Sequence, residues 1–244
     1  MTFKVVIPAR YASSRLPGKP LLDIAGKPMV VRVAEQAAKS AANEIVIATD
    51  FEKIGQIAAQ HDLKAVMTHI NHASGTDRIA EVADKLNWAD DVIVVNVQGD
   101  EPLIEPSLID EVAQHLANST DAVMATACHA IHDEAALLNP NIVKVVIDTN
   151  GNALYFSRAP IPFPRDEYYK KNIQAYRHIG VYAYRVGFLK QYAQLTSTEL
   201  EKIESLEQLR VLHHGYKIGV TITKNAPATG VDTQADLDYV RSLF

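Results

Sequence analysis

Three cations fall within ten residues in Arg10-Tyr-Ala-Ser-Ser-Arg15-Leu-Pro-Gly-Lys19-Pro20, directly after the apolar run Phe3-Lys-Val-Val-Ile-Pro8. The chemistry such a loop suits is recognition of a phosphate-rich anion. Small residues let backbone N–H groups approach the oxygens, and the cations neutralise them. A basic surface loop between a strand and a helix is the plainer reading of the same residues. The rest of the chain weighs against it, because the formal net charge is -5 and the positive charge is therefore local.

Two carboxylates complete the chemical vocabulary. Asp100 lies in Asn96-Val-Gln-Gly-Asp-Glu-Pro102, where Gly99 permits a tight turn, and Asp232 lies in Ala228-Thr-Gly-Val-Asp-Thr233 ahead of the final helical pattern. Magnesium takes oxygen ligands and commonly uses one or two protein carboxylates, leaving its other positions to water and substrate phosphates, so two aspartates from separate loops meet its demand. Asp100 also reads as an ordinary turn residue and Asp232 as a helix N-cap. Thr233 with Asp236 makes the better capping pair, however, and would leave Asp232 free.

Other chemistries are excluded. No Gly-x-Gly-x-x-Gly follows the first strand and no Gly-x-x-x-x-Gly-Lys-[Ser/Thr] occurs, which disfavours a dinucleotide dehydrogenase and a P-loop NTPase. The pairs His69/His72 and His129/His132 lack further soft ligands and are not read as a metal site. The lone Cys128 rules out an internal disulfide and a thiolate zinc site, and reads as a small buried apolar residue. A pI near 6.0 argues against a surface that coats nucleic acid. No apolar run approaches a membrane-spanning length, so a cytoplasmic, soluble protein without membrane insertion is expected.

The elements that must position these residues alternate strand and helix. Strand patterns at 3–8, 44–49, 65–67, 92–97 and 122–127 are separated by helical patterns at 28–39, 51–61, 76–87 and 107–116. This is the grammar of βαβ units and a mostly parallel sheet, with Pro28 suited to the first turn of its helix. The near-continuous apolar run at 92–97 predicts a central strand covered on both faces. In such sheets ligands bind at the carboxyl ends of the strands, where Arg10, Lys19, Asp100 and Asp232 all fall.

From about Pro140 the pattern changes. Strands at 143–148 and 153–156 flank Asn150-Gly151, a hairpin-turn signature, and Pro160, Pro162 and Pro164 then impose an extended loop. The aperiodic stretch 165–172 is expected to be mobile. A strand at 175–184, helices at 187–195 and 204–213, a strand at 217–223 and a helix at 234–243 complete the chain. The prediction is one α/β domain over 1–244: a Rossmann-like, mostly parallel mixed sheet flanked by helices, with a smaller second lobe. Residues of about 1–140 form the nucleotide part, about 141–220 the second lobe, and 221–244 return to the main sheet.

Eight motifs, in order along the chain, resemble the 3-deoxy-manno-octulosonate (KDO) cytidylyltransferase family, which has the fold of the nucleotide-diphospho-sugar transferases. They are Arg10–Leu21, His72–Ile79, Val95–Pro102, Asn139–Val146, Tyr155–Pro160, Arg177–Tyr182, Glu207–Arg210 and Gly230–Thr233. The resemblance implies that the anomeric hydroxyl of KDO attacks the α-phosphorus of CTP, releasing pyrophosphate and CMP-KDO for lipopolysaccharide biosynthesis. It implies that Arg10, Arg15 and Lys19 hold the triphosphate, that Ser14 belongs to the nucleotide site, and that Ser74, Gly75 and Thr76 help hold the nucleoside. Ser74 and Thr76 read equally as helix caps.

For the sugar acid the resemblance points to Arg78, Gln98, Arg158, His178, Tyr182, Glu207 and Gln208. By themselves Glu207 and Gln208 look like the solvated face of a helix. Asp100 and Asp232 would hold Mg2+, with Lys19 and Arg15 assisting catalysis by steadying the departing pyrophosphate. A homodimer is implied too, and Pro160–Tyr169 could supply either its interface or a lid. The alternatives are a cytidylyltransferase for another sugar acid, sialic acid or amino-substituted KDO, and a non-catalytic nucleotide or sugar-acid sensor.

Overall fold

The computed structural model describes residues 2–12, 16–72, 74–224 and 230–244. In chain order these form β1 (Phe3–Ala9), a 3-10 turn (Lys19–Leu21), a short hairpin of β2 (Asp23–Ile24) and β3 (Lys27–Pro28), α1 (Met29–Ala37), β4 (Glu44–Thr49), α2 (Glu52–Gln60), β5 (Lys64–Met67), α3 (Gly75–Lys85), β6 (Ile93–Asn96), α4 (Pro106–Asn118) and β7 (Ala122–Ile131). There follow α5 (Glu134–Leu138), β8 (Lys144–Ile147), β9 (Ala153–Ser157), α6 (Glu167–Lys171), β10 (Ala175–Arg185), α7 (Val186–Tyr192), α8 (Glu199–Glu204), α9 (Gln208–His213), β11 (Lys217–Ile222) and α10 (Gln234–Arg241).

The main sheet runs β11-β7-β10-β6-β1-β4-β5. Along that path only β10 opposes the rest: β4, β1 and β6 pair in parallel, as do β7 and β11, and β10 is antiparallel to both β6 and β7. Side chains alternate between two apolar layers. Val5 and Ile7 of β1 face a layer built with Val30 and Val33 of α1, Ile54 of α2 and Val112 of α4. Val6 faces the opposite layer, with Ile79 and Val82 of α3, Leu189 of α7 and Leu209 of α9. The central strand β6 is buried on both faces, which is why the run at 92–97 shows no polar alternation.

The sheet forks beside the end of β6. The carboxyl half of β10 pairs with β6, Tyr182 opposite Asn96, while its amino half pairs with β8, Tyr176 opposite Val145. On its other edge β10 bulges against β7: Ile179 faces Ala127 and Tyr182 faces Thr126, so Gly180 and Val181 are extra residues. The fork opens a cleft at the carboxyl end of a central strand.

Two local expectations are corrected, for Pro28 and for the helix over 204–213, and three further features complete the fold. Pro28 precedes α1 as its cap residue instead of entering the first turn, because it pairs with Asp23 in the β2–β3 hairpin. The helix expected over 204–213 is two helices, α8 and α9, separated at Ser205, whose φ of 52° is incompatible with a continuing right-handed helix. The aperiodic stretch 165–172 carries α6, a single solvent-exposed turn with no buried face to impose a period. The second-lobe residues 141–220 supply β10 to the middle of the main sheet as well as the β8–β9 branch. At the β8–β9 hairpin Gly151 has a φ of 79° and Asp148 accepts hydrogen bonds from the Asn150 and Asn152 N–H groups, which closes the turn at Asn150-Gly151.

Candidate active site

The site grows from backbone contacts between loops. The loop after β6 passes so near the end of β1 that a Cβ on Gly99 would lie 2.6 Å from the Pro8 carbonyl oxygen, a position only glycine can occupy. The Val97 N–H donates to the Val6 carbonyl at 3.1 Å, continuing the ladder to that point, and the Glu101 N–H closes the turn on the Gln98 carbonyl at 3.2 Å. A third loop docks on the second, where the Val231 N–H donates to the Asp100 carbonyl at 2.8 Å. Immediately beyond it, Thr233 and Asp236 close a capping box at the start of α10, which leaves the Asp232 carboxylate outside the cap.

Lys19 meets both aspartates. Its Nζ lies 2.5 Å from Asp100 Oδ2 and 3.1 Å from Asp232 Oδ1, joining residues 81 and 213 positions apart in sequence. The lysine stands on the 3-10 turn after Gly18, whose N–H donates to the Tyr11 carbonyl and whose φ is 68°. The Tyr11 ring stacks on Phe51 at 4.0 Å and anchors the start of that loop. Next to Asp100, Glu101 is pushed up to about 7 by burial, with the Asp100 charge adding to the effect, so it is partly protonated at neutral pH.

Arg10, Lys19, Gly75, Gln98, Gly99 and Asp100 line a cavity of about 370 Å³ over the end of β1. Ser14 and Arg15 lie outside the described residues. Ser74 is buried and caps α3: its hydroxyl accepts from the Asp77 N–H and donates to the Asp77 carboxylate. Thr76, grouped with the nucleotide residues in the sequence, lines the neighbouring cavity instead, with its hydroxyl 3.3 Å from the Tyr184 hydroxyl and 3.4 Å from Glu207.

That second cavity, about 300 Å³, occupies the fork of the sheet and shares Gly75 and Gln98 with the first. Tyr182, Glu207 and Gln208 line it, as the sequence grouped them, together with Asn96, Tyr184 and Tyr192. Asn96 Oδ1, Tyr192 Oη and Gln208 Nε2 are buried there without a hydrogen-bond partner among the described residues. One acceptor, one hydroxyl and one donor left unpaired around a cavity suit a ligand rich in hydroxyl groups, since an unpaired buried polar atom is costly. Glu207 is solvent-accessible in this cavity, yet displaced water raises its carboxyl pKa, with Asp77 adding.

Three other residues grouped with the sugar acid do not line the cavity. Arg78 is fully buried on α3, its guanidinium bound to Asp50 at 2.7 Å and to the Thr68 hydroxyl. A buried cation needs such a partner, and Asp50 follows β4 directly. Arg158 spends its guanidinium on the backbone carbonyls of Glu204 at 2.7 Å, Pro140 at 3.1 Å and Ser205 at 3.5 Å. It thereby holds the turn between α8 and α9 that presents Glu207 and Gln208. His178 stands behind Tyr182, packed edge-on to Phe156, with Nε2 3.0 Å from the Thr126 hydroxyl. Loss of hydration pushes its imidazole down to about 3, so it is neutral at physiological pH.

Sequence reasoning missed Asn96, Tyr184 and Tyr192. Asn96 did leave a signal, the one polar residue in the apolar run 92–97. Tyr192 left none, because an aromatic at helical spacing reads as core. Among the described residues no group of three histidine, cysteine or acidic side chains could hold a metal ion. His72, considered above, is bound to Glu81. The residues at Asp100 and Asp232 fit magnesium nonetheless: both donors are carboxylate oxygens, they converge from separate loops, and a cation, the Lys19 ammonium, already sits against both.

The family model described as Cytidylyltransferase matches residues 4–218. The chain is 58% identical over 248 residues to the 3-deoxy-manno-octulosonate cytidylyltransferase of Neisseria gonorrhoeae, covering 99% of this chain and 98% of that protein, and equally to that of Neisseria meningitidis serogroup A. A solved CMP:2-keto-3-deoxy-manno-octonic acid synthetase complexed with CTP superposes with a TM-score of 0.92 at 45% identity, covering 99% of this chain and 97% of that one. A cytidylyltransferase from Leptospira borgpetersenii, 17% identical with a TM-score of 0.63 over 99% of this chain and 85% of that one, shares the fold.

Proposed function

This chain belongs to the cytidylyltransferase family, and we propose that it transfers CMP from CTP to the anomeric hydroxyl of KDO, giving CMP-KDO and pyrophosphate. The observation that carries this reading is the meeting of two cavities at Gly75 and Gln98, with a cationic and carboxylate cluster on one side and unpaired polar atoms on the other. A nucleoside triphosphate and a polyhydroxylated acid bound in those two spaces would touch at their reacting atoms. Nucleotidyl transfer asks little more of a protein than such positioning together with charge stabilisation.

In the proposed reaction the anomeric oxygen forms a bond to the α-phosphorus as the bond from that phosphorus to the bridging oxygen breaks. Pyrophosphate departs with the electron pair. Arg10 and Lys19, lining the nucleotide cavity, neutralise the triphosphate and steady the leaving group, and Arg15 joins them in this reading. In this reading Gln98, common to both cavities, orients the attacking hydroxyl. Asp100, in the same turn, assists its deprotonation. Asp100 and Asp232 would hold magnesium, which when bound neutralises phosphate charge and makes the hydroxyl more acidic.

The protein is proposed to work in the cytoplasm, where CTP is available, and its product to feed lipopolysaccharide biosynthesis. No helix among the described residues is long and apolar enough to cross a membrane. A homodimer is proposed through the segment Pro160–Tyr169, where Phe163 and Tyr168 are 74% and 67% accessible. Light scattering that gives a monomer mass at micromolar concentration would refute the dimer.

Mixing the protein with CTP, Mg2+ and KDO and following pyrophosphate tests the function. Release that requires all three is expected, with KDO outcompeting sialic acid and amino-substituted KDO. Preference for either competitor would reassign the sugar, and CTP binding without turnover on any of them would favour a sensor.

A further inference from the structure

We propose that Lys19 has a second task besides gripping phosphate: in the nucleotide-free protein its ammonium holds the cation position between Asp100 and Asp232, so the acidic pair accepts a divalent ion only after a triphosphate has drawn Lys19 away. The inference rests on the reading of this site as a magnesium-dependent nucleotidyltransferase.

Three observations carry it. The two carboxylates are brought together by backbone, not by their own attraction. The Gly99–Pro8 contact and the Val231 N–H bond to the Asp100 carbonyl fix their loops whatever the side chains do. Like charges assembled in this way need a counter-charge. Lys19 Nζ supplies it at 2.5 Å and 3.1 Å, with the lysine side chain only 13% accessible.

The lysine's backbone is fixed independently of its side chain. The Leu21 N–H donates to the Gly18 carbonyl at 2.8 Å and the Leu22 N–H to the Lys19 carbonyl at 3.1 Å, so the 3-10 turn is closed independently of where the ammonium points. Lys19 lines the same cavity as Arg10, the space a triphosphate would fill. Four rotatable bonds let the ammonium exchange carboxylate oxygens for phosphate oxygens without moving the chain.

One ammonium cannot fully serve both sets of acceptors. A hard divalent ion competes with it for the carboxylates, and a triphosphate competes with the carboxylates for it. Each event that removes Lys19 from the pair therefore favours the other, and nucleotide and metal bind with positive coupling. The protein is thereby kept from loading metal onto an empty nucleotide site.

The test measures Mn2+ binding to the nucleotide-free protein by electron paramagnetic resonance, comparing wild type with Lys19→Met. Removal of a cation-bearing, phosphate-gripping residue should raise the Mn2+ affinity by about tenfold or more, within the usual span of coupling between sites. The melting temperature of the variant should also rise more on adding Mn2+ than that of the wild type. Unchanged or weaker Mn2+ binding by Lys19→Met overturns the proposal. Lys19→Gln, neutral and similar in length, provides the same comparison if the methionine variant does not fold. If wild-type pyrophosphate release is metal-dependent and neither variant gains affinity, the proposal alone fails. If the gained binding survives replacement of both aspartates by asparagine, the metal lies elsewhere and the reading of the site falls with the proposal.

Discussion

Gly99 and Pro8 are in backbone contact: the Pro8 carbonyl oxygen occupies the space where any side chain at Gly99 would begin, with 2.6 Å between it and a built Cβ. This single approach joins the loop that carries Arg10 to the loop that carries Asp100. It sets the distance between the proposed triphosphate cations and the proposed metal carboxylate.

Gly99→Ala is therefore expected to act on both stability and activity. Neither the Pro8 carbonyl nor the methyl group can yield, so the two loops must separate, at a cost of about 1–3 kcal/mol by analogy with overpacked cores. Urea denaturation reads the stability, and pyrophosphate release the activity. A variant with a wild-type denaturation midpoint and wild-type turnover would show that the contact is not demanding.

Asp100→Ala and Asp232→Ala should each lower metal-dependent pyrophosphate release by at least roughly 10²-fold, the scale for removing a preorganised electrostatic group. Far-ultraviolet circular dichroism should be unchanged, because α10 is capped by Thr233 with Asp236. Wild-type rates in either variant would show that the pair does not take part in catalysis.

Tyr192→Phe and Gln208→Ala separate binding from folding. Tyr192 Oη and Gln208 Nε2 have no hydrogen-bond partner among the described residues, so Tyr192→Phe should leave folding stability nearly unchanged, while Gln208→Ala loses only the packing of its side chain. The KM for KDO should rise by about tenfold, equivalent to one lost hydrogen bond of about 1.4 kcal/mol, with the KM for CTP unaffected. A rise in the KM for CTP instead would place these residues on the nucleotide.

His178 gives a pH signature. Its folded pKa is about 3, against about 6.5 for an unfolded histidine. Between those values the unfolded chain carries a proton that the folded chain refuses, so stability falls as pH drops below about 6.5, by up to about 1.4 kcal/mol per pH unit. His178→Asn keeps a polar group but does not titrate. Its urea midpoint should fall less between pH 7 and pH 5 than that of the wild type, and equal falls would mean that the imidazole titrates freely in the folded state.

The sequence carries the frame of this protein. Strand runs such as 44–49 and 92–97 and helices such as α3 and α4 are set by local apolar period, and the Thr233–Asp236 cap by local hydrogen bonding, so all were readable in place. Lys19, Asp100 and Asp232 were also legible as a group, because all three follow strand patterns at the carboxyl end of a parallel sheet, and the structure brings them within hydrogen-bond distance. The tertiary structure decided which cations and acids meet. Arg78 and Arg158 look equivalent to Arg10 as residue types, yet one is tied to Asp50 and the other to backbone carbonyls, while Arg10 faces a cavity. The fork of β10, the break at Ser205 and the unpaired Tyr192 hydroxyl depend on contacts between segments far apart in the chain. Local propensity has no term for such contacts, because burial and the distance between two charges exist only once the strands have paired.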